Sequence, residues 1–132
     1  MNYECYNKFL QAKQLIKSKR NEEALEIFKE LYEVDKEDLI IKFYYAKALL
    51  KQTNKTDEKN KIQAKQLLEE LVEQHNDTYA MLELAKIEIK DENYSIGRKW
   101  CSDVIAFQPK RDASPKIIKI NVFTRSVEGG DF

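Results

Sequence analysis

Small residues recur along this chain at offsets that constrain its fold more than any other feature. Ala12, Ala46 and Ala85 each fall midway in a segment of helical periodicity, and Ala24, Ala64 and Gly97 each open the segment that follows. Ala12 to Ala24 is twelve residues, and Ala85 to Gly97 is again twelve. Ala46 to Ala64 is eighteen, with the extra six in a polar stretch, and Ala12 to Ala46 is thirty-four. Helices approach closely where the side chains at their crossing are small, so this register suits a repeated helix–turn–helix.

The apolar residues support that reading. They step by three and four over six segments: 3–19, 22–34, 39–51, 61–74, 78–90 and 93–107. Asn21 suits the N-cap of the second segment, with Glu22 and Glu23 in its first turn, and Asp77 or Thr78 suits the cap of the fifth. Pro109 ends the sixth. The stretch 52–60 has no apolar residue and is expected to be a loop. Only three Gly and two Pro stand against 35% charged residues, which favours helices over an all-β fold.

A thirty-four-residue period with these small positions resembles the tetratricopeptide repeat. Phe28, Leu68 and Cys101 lie four after the second small residue, where that family prefers a large apolar side chain, and Leu31, Leu71 and Val104 follow three later. Pro109 matches the family's closing proline, and Asp91-Glu92-Asn93-Tyr94 its turn between paired helices. The chain departs from the pattern at Lys8 and Lys42, where a Trp-like residue is usual, and at Lys36 and Asn76, where Pro is. The link from the second to the third repeat is also one residue short. The resemblance implies an all-α fold: a right-handed superhelical stack of antiparallel helix pairs. It implies three hairpins in residues 1–109 (1–37, 38–76 and 77–109, with an insertion at 52–60) and a capping helix, or the first helix of an incomplete fourth repeat, in 110–132.

The tail carries Ser114-Pro115, a cap followed by Pro at the first helical position, then Ile117, Ile118, Ile120, Val122, Phe123 and Val127. The β-branched residues make a strand possible on propensity, whereas stacking on a third repeat favours a helix. Gly130-Asp131-Phe132 matches the family's turn into a second helix, so the expectation is a piece of a longer array. The alternative is a natural C-terminus with a frayed glycine tail.

Several function classes lack support. Lys plus Arg equal Asp plus Glu, so the net charge is zero and no global field points to nucleic acid. No apolar run has the ~20 residues of a membrane helix, and Met1–Leu10 lacks the plan of a secretory signal. Cys5 and Cys101 read as two reduced thiols, which with the missing signal points to the cytoplasm. The single histidine, His75, suits a helix C-terminus, and no Cys or His partner is spaced for zinc. No phosphate-cradling Gly-rich loop is present. The chain is therefore read as a non-enzyme without catalytic residues, metal or cofactor.

In tetratricopeptide arrays the first helix of each hairpin lines a concave groove. Its stripe here comprises Tyr6, Phe9, Lys13, Ile16 and Lys17, then Ile40, Phe43, Lys47, Leu50 and Lys51, then Tyr79, Leu82, Lys86, Ile89 and Lys90. Lysine fills all six places one and five after the small residue. Some family members clamp a chain-terminal carboxylate with Lys, Asn, Asn, Lys and Arg; only Lys86 and Lys90 fit, the latter as Lys for Arg. The expected function is a protein-interaction scaffold holding an acidic, partly hydrophobic segment. Alternatives are a regulatory or sensor arm of a larger protein whose effector domain lies beyond Phe132, and single-stranded nucleic-acid binding through alternating Lys and aromatics. Self-association through an apolar C-terminal end is a further possibility.

Overall fold

A computed structural model describes residues 2–51 and 58–107. Among the described residues there are six helices and no strand: α1 (Tyr3–Lys17), α2 (Asn21–Val34), α3 (Leu39–Lys51), α4 (Glu58–His75), α5 (Thr78–Lys90) and α6 (Tyr94–Phe107). The tail with its helix-or-strand alternative, and most of the expected loop, lie outside the described residues. The chain divides into two compact units, Met1–Leu68 and Glu69–Phe132.

In the first unit, α1 packs on α2 and α2 on α3. Asn2 starts α1 by accepting the Cys5 N–H at 2.8 Å, with Glu4 in the first turn and Lys17 in the last, both suited to the helix dipole. The helix stops at Lys17, two residues short of the expected Lys19, because Lys19 turns left-handed at φ 61°. Arg20 N–H then reaches Leu15 O at 2.9 Å and Lys19 N–H reaches Ile16 O at 3.1 Å, a Schellman closure that satisfies two terminal carbonyls. Asn21 proves to be the first residue of α2 rather than its cap. Arg20 holds the cap position without a side-chain cap bond and instead grips Glu23 Oε1 at 2.7 and 3.0 Å. Asp38 starts α3, its carboxylate accepting the N–H groups of Ile40 at 3.0 Å and Ile41 at 3.1 Å. α4 begins at Glu58, three residues before the expected Lys61, so 58–60 are helix rather than loop. Gln63 Nε2 on α4 donates to the Tyr45 hydroxyl of α3 at 3.3 Å.

In the second unit, α5 packs on α6. Asp77, one of the two expected caps, accepts from Tyr79 N and Ala80 N. The turn from α5 to α6 repeats that from α1 to α2 bond for bond. Glu92 takes φ 66°, its N–H reaches Ile89 O at 3.0 Å, and Asn93 N–H reaches Glu88 O at 2.7 Å. Asn93, expected to open the sixth helix, lies just before it and donates its side-chain amide to the buried Glu88 carboxylate at 2.9 Å. The core here is Met81, Ala85, Cys101 and Val104, flanked by Val72, Leu82 and Trp100.

The small residues all lie inside. Ala12, Ala24, Ala46, Ala64 and Ala85 have no exposed surface, and Gly97 is buried. At Gly97 the reason is close approach: a β-carbon there would stand 2.8 Å from Ile89 Cγ1, nearer than van der Waals contact allows.

A lysine-rimmed candidate binding cavity

In the first unit, one face of α1 and one face of α3 border a cavity of about 160 Å³. Lys13 and Lys17 stand on the α1 side, Lys47 and Lys51 on the α3 side. The walls are apolar: Ile16, Tyr44, Ala48 and the ring of Phe28, which reaches in from α2. Spacings of three and four residues put Tyr44, Lys47, Ala48 and Lys51 on one face of α3. All four expected lysines of the first two stripes thus come together, with Ile16.

An aromatic cluster builds the wall. Tyr44 stacks on Phe28 at 6.0 Å with 22° between planes, and meets Phe9 edge-on at 5.1 Å and Phe43 edge-on at 5.7 Å. Lys13 Nζ lies 5.3 Å from the centre of the Tyr44 ring and Lys47 Nζ 5.7 Å, within cation–π range. Lys13 also lies over Phe9 and Lys47 over Phe43, each at 5.4 Å. These contacts leave Lys13 and Lys47 half-buried, whereas Lys17 and Lys51 are exposed.

The counter-charge is missing locally. α3 contains no acidic residue, and α1 only Glu4 in its first turn. Among the described residues, no carboxylate forms an ion pair with Lys13, Lys17, Lys47 or Lys51. Other basic side chains behave differently: Lys8 lies 4.0 Å from Glu30, Lys36 3.8 Å from Glu33, and Arg20 holds Glu23.

The remaining stripe residues take varied places. Phe9 is only 6% exposed and belongs to the unit's own core. Tyr6 and Ile40 are exposed; Phe43 and Leu50 are half-buried. In the second unit, Tyr79 and Lys90 are exposed, Leu82 packs on the core, and Ile89 lies beside Gly97. Lys86 is half-buried and bonds to Glu83 Oε1 at 3.0 Å, so it is already neutralised. The stripe omits Phe28, which comes from α2, and Tyr44 and Ala48 of α3, although the spacing of the last two to Lys47 and Lys51 is the signal that would include them.

A larger cavity of about 260 Å³ is bordered by Asn2, Cys5, Asp35 and Asp38, among others. Its polar groups serve the fold: Asn2 caps α1, Asp38 caps α3, and Asp35 accepts the Glu37 N–H at 3.1 Å. Among the described residues there is no group of three or more His, Cys, Asp or Glu that could hold a metal ion, and no helix long and apolar enough to cross a membrane. Cys5 and Cys101 are free thiols, and burial pushes Cys101 up to about 11. In comparison with known proteins, the chain matches neither a protein-family model nor a curated sequence.

Proposed function

We propose that this chain is a tetratricopeptide-type array that serves as a protein-interaction scaffold, holding an acidic, partly hydrophobic segment of another protein. One observation carries the proposal: four lysines without local carboxylate partners surround one apolar-walled cavity. Like charges gathered on one concave surface raise the local concentration of an anionic ligand. The apolar walls give such a ligand something to bury beyond its charge. An acidic segment with apolar residues meets both demands, and a purely polar polyanion meets only the first. The lysines of the second unit contribute less to the proposal, because Lys86 is engaged by Glu83.

The test is binding of a fluorescently labelled Glu-rich peptide with interspersed apolar residues, followed by anisotropy. Affinity should fall as salt rises from 0.1 to 1 M and the Debye length shortens from roughly 10 to 3 Å. It should be lost in the variant carrying Lys13→Glu and Lys47→Glu. Binding that ignores both salt and these substitutions would remove the cavity from consideration.

A further inference from the structure

The size and the charge distribution of the same cavity narrow its ligand further. Resting on the acidic-segment reading, we propose that the cavity seats one aromatic side chain of the partner, with acidic residues on either side of that anchor reaching the lysines at the rim.

Volume comes first. The cavity is about 160 Å³, and a protein cavity of about 150 Å³ lined by apolar side chains takes up benzene. That volume suits one aryl ring. The walls favour a ring over an aliphatic chain. Half-buried Tyr44 borders the cavity, backed by the fully buried Phe28 on which it stacks, with Phe9 edge-on to both. An incoming ring would extend this cluster in edge-to-face or offset geometry, which aromatic pairs prefer.

The positions of charge fix the rest of the ligand. Phe28 and Ala48 have no exposed surface, while the exposed side chains of the cavity are Lys17 and Lys51. Charge is thus at the mouth and absent from the floor. A phosphotyrosine carries its phosphate at the far end of the ring, so inserting it would bury a dianion against Phe28 and Ala48 at a large desolvation penalty. Carboxylates on the residues flanking an unmodified ring stay at the mouth, where the ammonium groups are. Lys13 and Lys47, over the Tyr44 ring without a carboxylate, can exchange that cation–π contact for a charge-assisted hydrogen bond.

The experiment compares labelled peptides on the full chain: Glu-Glu-Phe-Glu-Glu within a Gly/Ser frame, a counterpart with Ala for Phe, one with Gln for every Glu, and one with phosphotyrosine for Phe. The Phe peptide should bind about ten-fold or more tighter than the Ala peptide, as full burial of one large apolar side chain warrants. The Gln peptide should lose the salt-dependent part of the affinity. Ile16→Trp, which fills the cavity from its apolar wall, should erase the preference for Phe over Ala. Tyr44→Leu should reduce the same preference and serves if Ile16→Trp does not fold. Equal binding of the Phe and Ala peptides overturns the aromatic anchor and leaves the basic cavity standing. Failure of both acidic peptides to bind overturns the two together. A phosphotyrosine peptide that binds tighter than the Phe peptide overturns the placement of the ring.

Discussion

Lys13 and Lys47, thirty-four residues apart on different helices, hold their ammonium groups over a single ring, that of Tyr44, at 5.3 and 5.7 Å. Neither lysine is therefore a freely solvated side chain; both are half-buried. Each ammonium lies within cation–π range of the ring, at the border of the cavity.

This pairing predicts measurable coupling. In a double-mutant cycle between Lys13→Met and Tyr44→Leu, followed by urea unfolding, the interaction energy should be about 0.5–1 kcal/mol, the range for a partly exposed cation–π contact. Lys47 with Tyr44 should give a similar value. Lys17→Met, at an exposed position, should show no coupling to Tyr44. Additive effects in the first two cycles would mean that the ring positions neither lysine.

The two matching turns predict stabilising substitutions. Lys19 and Glu92 occupy the left-handed region at φ 61° and 66°, where a β-carbon is strained and glycine is not. Lys19→Gly and Glu92→Gly should each raise stability by roughly 0.5–1 kcal/mol, less than the full steric relief because glycine also loosens the unfolded chain. Denaturation midpoints should rise in both variants. A fall of similar size would mean that the side chains make compensating contacts.

Gly97 should respond in the opposite sense. Ala is the better helix former by about 1 kcal/mol, yet its β-carbon would meet Ile89 Cγ1 at 2.8 Å. Overpacking costs of about 1–3 kcal/mol outweigh that gain, so Gly97→Ala should destabilise and Gly97→Leu should do so more strongly. In a double-mutant cycle Ile89→Ala, which removes the clashing Cγ1, should lessen the cost of Gly97→Ala. If Gly97→Ala raises the unfolding temperature, α5 and α6 have room to adjust.

Cys101 and Tyr45 should contribute to the loss of stability at alkaline pH. Burial holds the Cys101 thiol protonated, raising it from 9.0 to about 11, and burial is also the largest cause of the upward shift at Tyr45. A group raised in the folded state binds more protons there than in the unfolded chain, so its contribution is complete below the unfolded value. It is lost as pH climbs through the folded one. Stability should therefore decline from about pH 9 to 11 as the first part of alkaline unfolding. Cys101→Ala should flatten that interval, at the expense of a small cavity. Alkylation at pH 8 should mark Cys5 first, because its side chain is half-exposed while Cys101 is buried and protonated.

Local chemistry accounts for what is legible in residue order. Three- and four-residue periodicity places all six helices, because burial of one helical face leaves that mark directly in residue order. The small-residue register also marks buried positions, from Ala12 through Gly97, since only close backbone approach demands residues of that size there. The boundaries were less legible. Lys19 and Glu92 are ordinary helix formers by type, and nothing in their side chains announces a left-handed turn; the Schellman bonds of the next residue hold them there. The same limit applies to the site. Lys13, Lys17, Lys47 and Lys51 follow from spacing along single helices, but the cavity they share exists only because α1 and α3 stand on one side of Phe28, contributed by α2. Packing likewise separates chemically similar residues. Phe9 turns into the core while Tyr44 faces the lysines, and Lys86 finds Glu83 while Lys47 finds a ring. Residue type records what a side chain can do; which neighbour it meets depends on helices distant in sequence, whose approach is set by the sum of many contacts.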